Sequence, residues 1–373
     1  MNRVLQVFAR LTRGGLETFV MNVYRTINRD EIQFDFLVCA DGGDYEEEVK
    51  RMGGRVFKIA PRNSGISNYH RLLDAFFKAH QGEWIAIHQH VSSLSSIEPQ
   101  YYAKKYGIPV RVLHSHSSSI ASSVKMNSLH KIVHYTSKLF VRSWCTDYLG
   151  CSDKAIDWLY SGTGVRKKAL MINNGIQLER YSYSPKIREK VRCEFGLEEN
   201  TTVVGHVGSF IKVKNHTFLL KVFQAFSLLN SNSRLLLVGD GPLRKSIEEQ
   251  VNNSGMEGRV IFAGIRSDVN ELLQAIDIIV MPSIFEGLPV SLVEAQATGL
   301  PVVASDTISH DAKLTDEFCL MSLDGTPKEW AETIANCLSN HIRTDKISTI
   351  AEKGFDVKGI SDILISIYTH KKH

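Results

Sequence analysis

Two glutamates eight positions apart, Glu286 and Glu294, bracket the sequence Gly-Leu-Pro. A strongly apolar stretch at residues 278–281 precedes them and predicts a buried strand. Pro289 favours the start of a helix that contains Glu294, and the free N–H groups at a helix start bind anions such as phosphate. Ligands of open α/β sheets bind beyond the carboxyl ends of the strands. We therefore expect this stretch to hold a nucleotide-activated sugar.

The ordinary alternative treats the two glutamates separately. Glu286 would stabilise the positive end of the helix dipole, and Glu294 would be an exposed helix residue. That explanation leaves the Gly-Leu-Pro sequence without a role. We expect instead that the two carboxylates contact different parts of one extended ligand, while the helix start between them contacts phosphate.

Two lysines precede another predicted helix, at residues 217–229. Lys212 and Lys214 follow a predicted strand that begins at residue 202, and they lie in the loop that leads to the helix. Lysines beside a helix N-terminus suit a diphosphate group. Solvated surface charge is the alternative, and it is stronger for Lys212 because Lys214 is nearer the helix.

A pair of glycines, Gly14 and Gly15, joins the first predicted strand to the first helix. Glycine lets the backbone approach a ligand closely, and the helix start again favours a phosphate group. A plain tight turn is the alternative. The pair is not the Gly-x-Gly-x-x-Gly sequence of dinucleotide sites, and the sequence contains no Walker motif.

Four histidines cluster after two predicted strands, at residues 84–87 and 109–113: His88, His90, His114 and His116. A zinc site would need a carboxylate or cysteine partner nearby, which neither neighbourhood offers, so no metal is expected. We expect one histidine of the second pair to be a general acid, a hydrogen-bonding group or a stabiliser of the transition state. Structural hydrogen bonding is the alternative, and it is favoured for the first pair.

The remaining strand ends carry weaker signals. Arg266 follows a predicted strand at residues 260–262, where backbone groups could border a nucleotide base. The Gly-Asp-Gly-Pro sequence at residues 239–242 is typical of a structural turn.

Short apolar strands alternate with amphipathic helices along the chain, which predicts βαβ units and parallel sheets. Turn residues at 173–175 and a polar stretch that ends in proline at 185 predict a linker. We expect two Rossmann-like doubly wound α/β domains that face each other across a cleft. They span residues 1–178 and 179–355, and the last helix, within residues 356–373, packs back on the first domain.

Composition excludes several classes of protein. A chain of 373 residues exceeds one comfortable core and indicates two domains. Its 44 basic and 40 acidic side chains give a net charge of only +4, and no segment interleaves basic with aromatic residues, so we expect no nucleic-acid partner. Six scattered cysteines are typical of a reduced, cytosolic protein. No signal peptide or run of transmembrane length is recognisable, so we expect a cytoplasmic protein, soluble or peripheral to a membrane.

An ordered set of landmarks resembles the retaining glycosyltransferases of family 4, which have the GT-B fold. Residues 286–295 match the family's E-x7-E signature. Further landmarks match in the same order: Gly14-Gly15, His116, Asn174-Gly175-Ile176, Gly239-Asp240-Gly241-Pro242, Gly264 and Pro282-Ser283. The resemblance covers nearly the whole chain and is specific for the family, but it is not specific for a substrate.

The resemblance implies roles for the matched residues. Glu286 would contact the hydroxyl groups of the donor sugar and Glu294 the ribose, and His116 would lie near the sugar at the reacting centre. The diphosphate would be held by backbone amides and neutralised by Lys214. The implied donor-binding set is Gly14, Gly15, Lys212, Lys214, Arg266, Gly287, Leu288, Pro289, Val290 and Glu294, and the implied catalytic pair is His116 and Glu286.

The resemblance also implies the reaction. Transfer would retain the anomeric configuration, and it would need no metal and no cofactor other than the nucleotide-sugar donor, expected to be UDP-linked. The chain is similar to bacterial members that build capsular polysaccharide or exopolysaccharide on a glycan or lipid-linked acceptor at the cytoplasmic membrane face. Basic residues at 125–142 and 166–168 would contact anionic lipid, with solvated helix faces as the alternative.

One position departs from the family pattern. Ser209 stands where the family usually has an arginine that pairs with the diphosphate. Either Lys212 supplies the second cation, or donor binding is weaker by the ~1.5–3 kcal/mol of a charge-assisted hydrogen bond. Two alternatives to a transferase remain open, namely a nucleotide-sugar epimerase of similar architecture and a catalytically silent subunit of a glycosyltransferase complex.

Overall fold

The protein, as a computed structural model, is described for residues 1–12, 14–39, 42–117 and 128–370. The chain forms two compact units. The first contains residues 1–175 and 356–373, and the second contains residues 176–355.

The first unit is built on a seven-stranded sheet in which every neighbouring pair of strands is parallel. Its strands are β1 (Asn2–Val7), β2 (Ile32–Val38), β3 (Val56–Lys58), β4 (Ala86–Val91), β5 (Val110–Ser115), β6 (Asp147–Gly150) and β7 (Leu170–Met171), in the spatial order β3-β2-β1-β4-β5-β6-β7. The helices between them are α1 (Gly15–Thr26), α2 (Glu46–Arg51), α3 (Ile66–Ala79), α4 (Glu98–Lys105), α5 (Ser128–Trp144) and α6 (Asp153–Tyr160). The strand order reverses at β1 and β4, the place where doubly wound sheets bind ligands.

The second unit repeats this plan with six parallel strands. They are β8 (Thr202–Val207), β9 (Ser233–Val238), β10 (Val260–Gly264), β11 (Ile278–Met281), β12 (Val302–Ser305) and β13 (Phe318–Met321), in the order β10-β9-β8-β11-β12-β13. The helices are α7 (Pro185–Glu194), α8 (His216–Leu229), α9 (Arg244–Asn253), α10 (Val269–Ala275), α11 (Val290–Ala297), α12 (Pro327–Ser339) and α13 (Ile347–Glu352). The order reverses at β8 and β11.

Both faces of the second sheet are buried. Ile279 and Met281 of β11 pack in one apolar core, and Ile278 and Val280 of the same strand pack in another. Alternate residues of a strand point to opposite faces, so helices must cover the sheet on both sides. This burial explains why the strands are almost continuously apolar in sequence.

The last helix, α14 (Val357–Thr369), belongs to the first unit. Its buried side chains recur at helical spacing: Val357, Ile360, Leu364 and Tyr368. Gly175 is required beside it, since a β-carbon at that position would collide with the backbone of Val357 and the side chain of Ile360. The helix thereby closes a core that the first 175 residues leave open.

Two predicted strands were too short. His88 and His90 lie inside β4 and His114 lies inside β5, whereas only His116 follows its strand. The prediction assumed that polar rings end a buried strand. These rings instead hydrogen-bond to one another and to other buried side chains, so the strands continue through them.

Candidate active site

The ligand-binding end of the second sheet carries two of the residues that the sequence singled out, Lys214 and Glu286. The loop after β8 contains Lys214, and the loop after β11 contains Glu286. These two strands are neighbours at the point where the strand order reverses. The two loops also contact each other directly, because the Ile284 amide donates a hydrogen bond to the Val213 carbonyl at 2.8 Å.

Lys214 and Glu286 form an ion pair with 2.7 Å between Nζ and Oε1. Both side chains are largely buried, with exposed fractions of 14% and 19%. A pair of this kind is less screened by solvent than an ordinary surface pair. The cation expected at the diphosphate and the carboxylate expected at the sugar therefore neutralise each other when no ligand is present.

The loop that carries Glu286 is anchored to the end of β12. Glu286 forms an isolated parallel bridge with Ile308, and the Ser309 amide donates to the Gly287 carbonyl at 3.3 Å. The hydroxyl groups of Ser305 and Thr307 donate to the Ser283 carbonyl at 2.5 and 2.7 Å. These hydrogen bonds hold in place the backbone that carries the Glu286 carboxylate.

Close packing of glycines positions Lys214. A β-carbon on Gly208 would lie 3.0 Å from Lys214 Cε, and Gly239, with φ of +133°, lies against the Gly208 carbonyl. Gly241 packs in the same way against the backbone of Phe210. The turn at residues 239–242 is thus structural, as its sequence indicated.

Lys212 and Ser209 are both exposed, unlike Lys214. Lys212 begins a short 3-10 turn, Lys212–Lys214, and α8 starts after Asn215, which is left-handed with φ of 55°. The single turn separates the two lysine side chains, since one is in solvent and the other is paired with Glu286. Sequence position had already favoured Lys214, because it is nearer the start of the helix.

Glu294 is held by a residue that the sequence analysis missed. Pro289 is the N-cap of α11, and Glu294 lies in the second turn, where Tyr181 Oη donates to its Oε1 at 2.6 Å. Burial raises the pKa of Glu294, and the Tyr181 hydroxyl partly offsets that rise. Glu294 is therefore not the freely exposed helix residue of the alternative explanation. Tyr181 lies in the stretch interpreted as a linker, whose polar composition gave no sign of this contact.

The side chain of Arg266 is already paired with two carboxylates. Its guanidinium group donates to Asp268 at 2.6 Å and to Glu194 at 2.7 Å, and it lies over the ring of Phe195. These hydrogen bonds raise its pKa. Only the backbone of Arg266 is left to border a base, which is the role that the sequence suggested.

The glycine pair of the first unit lies at the start of α1. Gly14 is the N-cap and Gly15 is the first helical residue, with open space where its β-carbon would be. The carboxylate of Glu17 folds back over Gly14, and burial raises the pKa of that carboxyl group. A phosphate group at this helix start would have to displace the Glu17 carboxylate.

The four histidines form two hydrogen-bonded pairs in the first unit. His88 Nε2 lies 3.2 Å from His114 Nδ1, and His90 Nδ1 lies 2.9 Å from His116 Nε2. Burial lowers the pKa of all four rings, and that of His116 falls to about 3. At neutral pH the rings are uncharged, which favours hydrogen bonding over the general-acid role.

Three of these histidines lie close enough together that a metal ion would not need the carboxylate or cysteine partner that the sequence analysis required. One ring nitrogen from each of His88, His90 and His114 lies within 4.8 Å of the other two, so these imidazoles alone could surround an ion without a carboxylate or cysteine. Every ring nitrogen of the three except His114 Nε2 is, however, already in a hydrogen bond. An ion would have to break these bonds.

Comparison with known proteins identifies the family. Residues 13–180 match glycosyltransferase family 4, and residues 201–340 match the family described as glycosyl transferases group 1. EpsF of Bacillus subtilis strain 168, a protein named as a glycosyltransferase, is 33% identical over 100% of this chain and 98% of its own length. The chain belongs to glycosyltransferase family 4.

Further matches to known proteins support the assignment to this family. The capsular polysaccharide biosynthesis glycosyltransferase CapH of Staphylococcus aureus is 26% identical over 100% of this chain and 99% of its own. The crystal structure of Anabaena HepE in complex with UDP has the same fold, with a TM-score of 0.78, 21% identity and coverage of 99% of this chain and 100% of HepE. The predicted fold class, two α/β domains with parallel sheets in a GT-B glycosyltransferase, is confirmed.

Among the described residues, none of the helices is both long enough and apolar enough to cross a bilayer.

Proposed function

We propose that this glycosyltransferase moves a sugar from a UDP-sugar to a glycan or lipid-linked acceptor in the biosynthesis of a surface polysaccharide. The observation that carries the proposal is the Lys214–Glu286 ion pair at the reversal of strand order in the second sheet. HepE, which shares the fold, has been crystallised with UDP and with UDP-glucose. A relative from Escherichia coli, 28% identical over 77% of this chain, is named as a UDP-Gal:α-D-GlcNAc-diphosphoundecaprenol α-1,3-galactosyltransferase.

The ion pair suggests how the donor enters. Lys214 and Glu286 satisfy each other in the free protein. A diphosphate is a stronger partner for Lys214, because it carries more charge and the helix start at Val290 adds N–H donors. Once Lys214 turns to the diphosphate, Glu286 is released to accept hydrogen bonds from the sugar hydroxyls. The pair thus exchanges one internal contact for two ligand contacts.

We extend the proposal to the ribose and to the first domain. Glu294, oriented by Tyr181, accepts hydrogen bonds from the ribose hydroxyls. Gly14, Gly15 and His116 keep the roles implied by the family resemblance, the glycines toward phosphate and His116 toward the sugar. The backbone of residues 287–290 supplies further amide donors to the diphosphate.

We also propose that transfer retains the anomeric configuration and needs neither metal nor cofactor. Lys214 and the start of α11 supply positive charge that stabilises the leaving UDP. In other transferases a divalent ion has this role. Measurement of transfer with and without a chelator tests this part, and an activity that depends on added Mg²⁺ or Mn²⁺ would contradict it.

Contact with a membrane surface is proposed for α5. One face of this helix exposes apolar side chains at helical spacing, with exposed fractions of 58% for Ile132, 58% for Tyr135 and 77% for Leu139. Lys131 and Arg142 are exposed on an adjoining face. An apolar stripe edged by basic residues fits the interface of an anionic bilayer, as at the cytoplasmic face of a cell membrane.

The other basic segment is less suitable. Arg166 forms ion pairs with Asp157 at 2.6 Å and Asp153 at 3.5 Å, which neutralise part of the run at residues 166–168. Lys125 of the first segment lies outside the described residues. The membrane contact is therefore assigned to α5.

A ligand panel tests the donor proposal. The unfolding temperature of the full chain is measured with UDP-, GDP-, ADP- and dTDP-sugars, since a ligand that binds the native state raises it. We expect UDP-sugars to give the largest increase and incubation with donor alone to leave the sugar unchanged. Stabilisation by another nucleotide would overturn the choice of UDP, and conversion of the sugar without an acceptor would favour the epimerase alternative.

A further inference from the structure

The two histidine pairs of the first unit are joined by two further buried side chains. His90 Nε2 lies 2.9 Å from Gln6 Oε1, and His88 Nδ1 lies 2.6 Å from Tyr368 Oη. Gln6 Nε2 lies 3.5 Å from the same Tyr368 Oη. The contacts run without a break through six residues: His116, His90, Gln6, Tyr368, His88 and His114.

The donor and the acceptor in each of these hydrogen bonds follow from the side-chain amide of Gln6, which lies in the middle of the hydrogen-bonded chain. Gln6 Oε1 can only accept, so His90 must carry its proton on Nε2. A neutral imidazole has one N–H, so His90 Nδ1 is bare and must accept from His116 Nε2. His116 has then used its only proton, and its Nδ1 is bare.

The other arm follows in the same way. Gln6 Nε2 donates to Tyr368 Oη, and among the described residues His88 Nδ1 is the one acceptor in contact with that hydroxyl, so the Tyr368 proton goes to His88 Nδ1. His88 then carries its proton on Nε2 and donates it to His114 Nδ1. His114 therefore keeps its own proton on Nε2, at the opposite end of the chain from His116 Nδ1.

The two ends of this hydrogen-bonded chain are ring nitrogens that none of the contacts above uses. His114 Nε2 and His116 Nδ1 are buried and have no hydrogen-bond partner among the described residues. The centroids of the two rings are only 4.0 Å apart, and Phe19 of α1 packs against both. A buried nitrogen without a partner is costly, so such atoms usually await a ligand or a water molecule.

We propose that this single hydrogen-bonded chain fixes the tautomers of both terminal rings, so that His116 presents a bare Nδ1 to a hydroxyl group of the sugar substrate, while His114, which is fully buried, keeps its proton on Nε2. A hydroxyl group can donate its proton to the bare Nδ1 of His116. Gln6, His88, His90 and Tyr368 are then positioning residues, which act through the two terminal histidines. The identity of the ligand rests on the proposed function, whereas the tautomers do not.

Nitrogen-15 NMR of the ligand-free full chain tests the proposal. Histidine is labelled with ¹⁵N, and single His→Asn replacements assign the four rings. We expect all four to carry the proton on Nε2, with the pattern unchanged between pH 8 and pH 6. A proton on Nδ1 of any of the four would overturn the assigned direction. Because no ligand is present, a failure of UDP-sugars to bind would contradict the proposed function and leave this result intact.

Two variants separate the arms of the chain. Gln6→Met removes both the acceptor of His90 and the donor to Tyr368, so the ring resonances of all four histidines should shift. Tyr368→Phe removes the partner of His88, so the resonances of His88 and His114 should shift while those of His90 and His116 stay. Tyr24→Phe is the matched control, since its buried hydroxyl bonds to Gln33 and Met52 instead of a histidine. Shifts that depart from these two patterns would contradict the chain, and the wild-type spectrum remains decisive if a variant fails to fold.

Titration with ZnCl₂ distinguishes the hydrogen-bonded chain from a metal centre. The hydrogen-bonded chain predicts that equimolar zinc leaves all four Nε2 protons in place. Loss of these proton signals from His88, His90 and His114 together would overturn the proposal in favour of a metal centre.

Discussion

Lys214 Nζ lies 2.7 Å from Glu286 Oε1, so the cation and the carboxylate proposed to divide the donor between them are bound to each other in the free protein. The contact joins the ends of two neighbouring parallel strands, β8 and β11. Donor binding must therefore break an existing ion pair. The first two predictions concern this exchange.

Removal of the Glu286 charge should strengthen the binding of UDP while it abolishes transfer. In Glu286→Gln the lysine no longer has to leave a carboxylate, and an ion pair of this kind contributes about 1 kcal/mol, or roughly fivefold in affinity. Calorimetric titration with UDP and a transfer assay give the two readouts. Glu317→Gln is the matched control, because it breaks a pair with Lys346 in the same unit. Weaker UDP binding in Glu286→Gln would contradict the exchange.

Removal of Lys214 should cost the enzyme its donor. A charge-assisted hydrogen bond contributes about 1.5–3 kcal/mol, so Lys214→Met should weaken UDP binding by roughly ten- to a hundredfold. The exposed Lys212 should matter less, and Lys328→Met, with a side chain 79% exposed on α12, should have no effect. Equal losses in Lys212→Met and Lys214→Met would show that both cations contact the diphosphate.

Restoration of the family arginine should improve donor binding. Ser209 is exposed at the end of β8, so Ser209→Arg has room for the longer side chain. A second cation at the diphosphate should tighten UDP binding by about 1.5 kcal/mol, or roughly tenfold. The increase should disappear with uridine, which lacks the phosphates. An unchanged affinity for UDP would indicate that residue 209 does not contact the diphosphate.

Acid should weaken UDP binding through Glu294. Burial raises the pKa of this carboxyl group above its ordinary value, and a protonated carboxyl offers the ribose fewer acceptor sites. Affinity should therefore fall as the pH drops through the raised pKa. Tyr181→Phe removes the hydroxyl that partly offsets the rise, so it should move the midpoint of this loss to higher pH. Calorimetric UDP titrations from pH 8 to pH 4 measure both midpoints, and identical midpoints would contradict the assignment.

Binding to anionic vesicles should depend on α5. Leu139→Glu places a charge in the exposed apolar stripe, and Lys131→Glu removes an adjoining cation that contributes about 1 kcal/mol near an anionic surface. Each should reduce co-sedimentation with phosphatidylglycerol vesicles, and the wild type should bind phosphatidylcholine vesicles weakly. Leu228→Glu is the matched control, an 85% exposed leucine on α8. Equal losses in Leu139→Glu and Leu228→Glu would argue against a specific face.

The sequence predicted the sheets, the strand-end loops and the position of Glu286, because each depends on patterns within a few residues. It could not reveal contacts between distant segments. Tyr181 is 113 positions from Glu294, and Tyr368 is 280 positions from His88. The strand ends at His88 and His114 were misplaced for the same reason, since their polar rings are satisfied by partners far away in the sequence.

The return of α14 to the first unit gives the two domains different folding histories. The second domain is continuous in sequence, so it can fold as soon as residues 176–355 have left the ribosome. The first domain has to wait, since Tyr368 and Leu364 complete its core and are synthesised after the whole of the second. The domain made first therefore finishes folding last, and the histidine chain that ends at His116 is completed only when α14 arrives.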